Sequence, residues 1–135
     1  MLAPTGKEVL LGYMWNFQIL QTPGYVAILQ EDFQELRLIP LDNRPHLGPN
    51  LRQWLGDSRG HWEGNTLVAD VTYFEEGTWF DRAGNFHSED LHLVERYTPD
   101  GPDHINYEVT VEDPTVFTRP WTMRMVLYRR KEPNV

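Results

Sequence analysis

The chain has no cysteine, which excludes disulfides, thiolate metal sites and a cysteine nucleophile together. It is also poor in lysine: ten of its basic residues are arginine, and the two lysines, Lys7 and Lys131, lie near the ends. Basic charge is scarce overall, 12 residues against 20 acidic ones for a formal charge of −8, so a phosphate-tracking surface for nucleic acid is excluded. No apolar run approaches the roughly 18 residues of a membrane-crossing helix, which excludes an integral helical membrane protein. Lys7 followed by Val9, Leu10 and Leu11 is too short an apolar stretch for an export signal, and no small-residue cleavage site follows it. The compartment stays open on these grounds.

What is present is enough chain for one core. At 135 residues and 40% hydrophobic content, residues 1–135 read as a single domain, with 1–14 as a loosely ordered lead-in. Helical periodicity is almost absent, and β-rich runs alternate with turn signals. The expected strands are 16–22, 25–30, 35–41, 61–63, 66–73, 91–98, 104–112 and 121–130. Pro23-Gly24, Gly64-Asn65 and Asp100-Gly101 mark tight turns between them. Residues 42–60 hold Pro45, Gly48, Pro49, Asn50, Gly56 and Gly60 and read as a loop, with one short helical turn near Pro49 carrying Leu51, Trp54 and Leu55. Residues 74–90 read as a long loop folded back through Trp79, Phe80 and Phe86. The fold class is therefore all-β: a single antiparallel β-barrel of the calycin or lipocalin-like kind with about eight strands, with a β-sandwich as the alternative.

Alternation assigns the faces. Leu67, Ala69, Val71 and Tyr73 share one face of their strand, as do Ile105, Tyr107, Val109 and Val111, and Trp121, Met123, Met125 and Leu127. These faces make the core. The opposite faces mix valine with polar groups: Thr66, Val68, Asp70 and Thr72; His92, Val94 and Arg96; Thr122, Arg124, Val126 and Tyr128. Such a face lines a polar cavity or stays wet on one side of an antiparallel sheet.

Chemistry-bearing residues concentrate in three segments. Residues 54–64 place Asp57, Ser58, Arg59 and His61 between Trp54 and Trp62, with Glu63 just after, either as a well-knit loop or as a site wall. Residues 91–96 carry His92 and Arg96 on one side of a strand and Glu95 on the other. Residues 39–46 hold Asp42, Arg44 and His46 in a loop stiffened by Pro40 and Pro45. The arginine bias reads either as lineage bias or as a lattice of Arg–carboxylate pairs, where a planar fork meets a carboxylate. The five histidines show no HxH or HExxH spacing, and no phosphate-cradling glycine loop, nucleophile elbow or dinucleotide fingerprint is present. The tryptophans flanking the polar segments serve the core or a stacking platform for a sugar ring.

Five stretches, QTPGYV (21–26), IPLDNRPH (39–46), QWLGDSRGHWEGNTLVADVT (53–72), LHLVER (91–96) and VEDPTVFTRPWT (111–122), resemble a family of uncharacterised bacterial proteins, many of them exported. The similarity runs from about residue 16 to residue 122. It implies an exported natural form and carries no activity, cofactor or site residue with it.

The residues themselves point to a small enzyme using metal-independent general acid–base chemistry: a lyase, isomerase or hydrolase acting on a sugar or another small cyclic compound. His92 and Asp57 would transfer protons, and Arg59 and Arg96 would stabilise developing negative charge. Trp54, Trp62, Glu63, Asp70, Arg44, His46 and Tyr128 would contact substrate. No cofactor and no metal is expected, and an exposed strand edge or aromatic patch would support a homodimer. The alternatives are a non-catalytic lipocalin-like or carbohydrate-binding module and, more weakly, a metalloenzyme whose histidines converge from separate strands.

Overall fold

The computed structural model describes residues 17–30, 35–48, 50–52, 56–74, 88 and 90–129. Eight strands run in chain order: β1 Phe17–Gln21, β2 Tyr25–Gln30, β3 Glu35–Pro40, β4 Asp57–Glu63, β5 Thr66–Thr72, β6 His92–Pro99, β7 His104–Glu112 and β8 Trp121–Tyr128. They form two antiparallel meanders, β1-β2-β3 and β4-β5-β6-β7-β8, and there is no helix among the described residues. Lead-in 1–14, the helical turn around Trp54 and most of loop 74–90 lie outside the described residues.

The all-β reading and the count of strands agree with this architecture. Closure into a barrel does not: among the described residues no ladder joins one sheet to the other. Where they meet, β3 approaches β4 through side chains instead of backbone pairing. Arg37 Nε donates to Ser58 Oγ at 3.0 Å, and Ile39 and Leu41 press on Gly60. A Cβ on Gly60 would come within 2.6 Å of Ile39 Cγ2 and 2.9 Å of Leu41 Cδ2. Gly60 is therefore a close-approach residue in mid-strand, not the loop residue its neighbours suggest. β4 begins at Asp57, four residues earlier than expected, because DSRG lacks the β-branched residues that advertise a strand.

The inner face of the large sheet is the core. Leu67, Ala69, Val71, Leu93, Tyr107, Val109 and Val111 are buried there against Val26, Ile28 and Ile39 of the small sheet. Tyr73 departs from the expected alternation. Its φ is +58°, a left-handed conformation that bulky residues rarely adopt. β5 ends just before it, and Phe74 rather than Tyr73 takes the fully buried position, against Gly56.

An ionic cluster sits within this apolar layer. Glu95, fully buried, forms an ion pair with Arg37 from the opposite sheet. Tyr107 and Tyr97 donate their hydroxyl protons to Glu95 Oε2 at 2.6 and 3.1 Å. Burial by itself disfavours the charged guanidinium, but the Glu95 carboxylate and the tyrosine oxygens outweigh it, so Arg37 holds its proton more tightly than usual. Burial, then the charge of Glu95, pushes both tyrosines well above their ordinary range. Of the internal Arg–carboxylate pairing read from composition, this pair and the largely buried Arg59–Asp57 are present, whereas Arg96–Glu63, Arg44–Asp42 and Arg124–Glu108 are surface pairs.

Candidate functional site

The register places one polar face across the large sheet. Asp57 pairs with Thr72 and Arg59 with Asp70 on β4–β5, Asp70 with Val94 on β5–β6, and His92 with Glu112 on β6–β7. Directly paired residues project to the same side, so Asp57, Arg59, Asp70, His92 and Glu112 share it. The loop before β4 then brings His46 onto this face.

The result is a chain of short contacts. His46 Nδ1 lies 3.0 Å from Asp57 Oδ2, and its Nε2 lies 3.0 Å from Asp70 Oδ1. His92 Nε2 lies 2.9 Å from the other Asp70 oxygen. Each of these three N···O contacts requires a proton between its atoms, which links the four side chains in one hydrogen-bonded set. Asp57 anchors one end: it is buried and accepts from Leu47 N at 2.8 Å and Arg59 Nη1 at 2.7 Å. Arg59 is itself held by the carbonyls of Pro45, at 3.1 Å from Nε, and Ser58, at 2.7 Å from Nη1. His92 forms the other end, its side chain 37% exposed.

The electrostatics follow the contacts. The Asp70 hydrogen bond, and then its charge, raise His92 above the usual imidazole range despite partial burial. In return the His92 hydrogen bond, its charge and the His46 contact hold Asp70 below the usual carboxylate range. His92 Nδ1 stands 3.9 Å from Glu112 Oε2, whose charge also raises the ring's proton affinity.

Of the residues singled out in the sequence, His92, Asp57, Arg59, Asp70 and His46 are brought together. Asp57 is enclosed and engaged by His46, Leu47 and Arg59. Arg59 points its donors at Asp57 and at the carbonyls of Pro45 and Ser58. Arg96 lies on the same face but four residues down β6, paired with Glu63 Oε2 at 2.7 Å. Glu63 also contacts His61 at 3.2 Å, and the Arg96 bond lowers its proton affinity. Arg44 is exposed on Asp42, whose carboxyl it holds at about 2. Trp62 projects to the opposite face of the sheet, and Tyr128 sits on edge strand β8 against His104, ring centroids 5.0 Å apart. Neither lies beside His92. Trp54 lies outside the described residues.

The structure adds residues that the sequence did not single out for the site. Tyr73 sets its ring edge-on to His46 at 5.9 Å, and Arg52 lies 5.8 Å from the same ring. Only the left-handed backbone at Tyr73 turns it to this side, and no sequence signal announces such a residue. Glu112 comes from the end of β7, where alternation alone shows its face but not its neighbour. Glu95 was detectable as the one carboxylate among inward positions of β6, between Leu93 and Tyr97. Among the described residues no group of three or more histidine, aspartate and glutamate side chains is arranged to hold a metal ion. The two imidazoles converge on opposite oxygens of one carboxylate rather than on a shared point. The chain matches no family model, no curated protein and no solved structure.

Proposed function

We propose that this protein is a small sandwich-like β-domain enzyme that moves protons by general acid–base catalysis at His92, on a sugar or similar small polar ring. The observation that carries the reading is the linked set Asp57–His46–Asp70–His92, which ends in a half-exposed imidazole. With Nε2–H held on Asp70, His92 has its Nδ1 available to take a proton from the substrate and return it at another atom. Its raised proton affinity shifts the ring toward the acid form, which donates from Nδ1, while the neutral ring accepts at the same atom. Asp70 sets the tautomer and ring orientation, and His46 with Asp57 holds Asp70 from behind. These three are positioning residues. The chemistry suits elimination, isomerisation or hydrolysis, in which a proton leaves one substrate atom and is delivered to another.

The test is a turnover screen against nitrophenyl glycosides, sugar lactones and uronides, run with the wild-type chain and with His92→Gln. A compound that is turned over by the wild type should lose about 10²–10⁴-fold in rate with His92→Gln. Asp70→Asn should lose less and move the pH profile. Undiminished turnover in folded His92→Gln protein would reject the assignment. So would a panel in which no compound is turned over and none shifts the His92 ring signals.

A further inference from the structure

The proton-linked residues occupy only one face of the large sheet. On the other, between the sheets, is a pocket of about 110 Å³. Its floor is formed by Val26 and Ile28 of β2, Leu67 of β5 and Tyr97 of β6, all buried. Its rim carries Ile19 and Trp62, which remain 37% and 43% exposed. Apolar side chains left partly in water above a buried apolar floor gain stability when they are covered.

The lining also defines what would bind. No ionised side chain lies on it, and the Tyr97 hydroxyl is turned away to Glu95. Gln21 contributes an amide at the exposed side. A charged ligand would lose its hydration here without a partner. An apolar cavity of roughly 150 Å³ holds a benzene ring, and this pocket, open on one side, is of that order.

We propose that the inter-sheet pocket binds a neutral aromatic ring or short alkyl chain bearing at most one hydrogen-bonding group, which Gln21 meets. The site is separate from His92, since Leu67 and Tyr97 project to one side of the sheet and Asp70 and His92 to the other. It does not rest on the acid–base reading.

Toluene is the probe, followed by methyl NMR of the full chain. Saturable shifts are expected at Ile19, Val26, Ile28 and Leu67, while Leu20, Leu36 and Leu38 on the outer face of the small sheet stay still. Ile19→Trp enlarges a half-exposed rim residue and leaves the floor intact, and it should weaken toluene binding about tenfold or more. Benzoate should bind at least about tenfold more weakly than toluene, because its charge is unpaired in the pocket. p-Cresol should bind at least as well as toluene, with Gln21→Leu removing any advantage. Shifts that do not saturate, that spread to Leu20, Leu36 and Leu38, or that persist undiminished in Ile19→Trp would overturn the proposal. Absence of any shift, as when a segment of the chain itself fills the pocket, would overturn it equally.

Discussion

His92 Nε2 lies 2.9 Å from Asp70 Oδ2, on the diagonal between neighbouring strands β6 and β5. The contact joins two groups whose proton affinities move in opposite directions, and it therefore has a pH window. His92 is raised from 6.5, so its share of the stability is complete below 6.5 and disappears as pH rises through the raised value. Asp70 is lowered from 3.8, so its share is complete above 3.8 and disappears as pH falls through the lowered value. The stability difference between wild type and Asp70→Asn should thus be largest between 3.8 and 6.5. Urea unfolding across pH checks it, and NMR titration should show the His92 midpoint falling in Asp70→Asn. A difference that is flat with pH would mean that the pair is not formed in solution.

The buried Arg37–Glu95 pair predicts an asymmetry between single and double substitutions. Glu95→Leu alone leaves a guanidinium in the core with one carboxylate fewer to meet it, and should cost about 3–5 kcal/mol. Arg37→Met with Glu95→Leu removes both charges and should recover most of that loss. Denaturant midpoints of the two single variants and the double variant supply the cycle. Additive losses would show that the two residues act independently.

Gly60 and Gly64 should fail for different reasons. At Gly60 an added methyl meets Ile39 and Leu41 at less than 3.0 Å, so Gly60→Ala should cost about 1–3 kcal/mol by forcing the sheets apart. At Gly64 the space is open, but φ is +61°, and Gly64→Ala should cost about 1 kcal/mol through backbone strain. Ile39→Ala combined with Gly60→Ala should lose less than the sum of the two single changes, whereas no change at residue 39 should affect Gly64→Ala. Thermal melts of this small set distinguish steric from conformational cost.

Tyr73 carries strain that its ring contacts offset. Tyr73→Gly relieves the left-handed backbone and loses the ring beside His46. These effects oppose, so stability should change by less than about 1 kcal/mol. The ring-proton shifts of His46 should nevertheless move, because the edge-on aromatic neighbour is gone. A large loss of stability would show that Tyr73 is held by packing rather than kept for its position.

Much of the fold is legible from local pattern. Strands β2 and β7 are bounded as alternation and turn residues predict, and the mixed face of Asp70, His92 and Arg96 reads correctly as one side of a sheet. A period of two and a few turn residues are local properties, and they are written in the chain. β4 is the exception, since its first inward positions are Ser58 and Gly60, chosen for what lies across from them and not for strand propensity.

The sequence by itself therefore determined the all-β class, most strand boundaries to within two residues and which side chains share a face. Tertiary structure alone decided which of those side chains meet. It joined His46 to Asp57 and Asp70 through a loop, aimed Arg37 at Glu95 from a different sheet and left the two sheets open to each other rather than closed. These relations depend on strand order, on diagonal register and on one left-handed residue at Tyr73. They link residues 11 to 58 positions apart, over which local propensity carries no information.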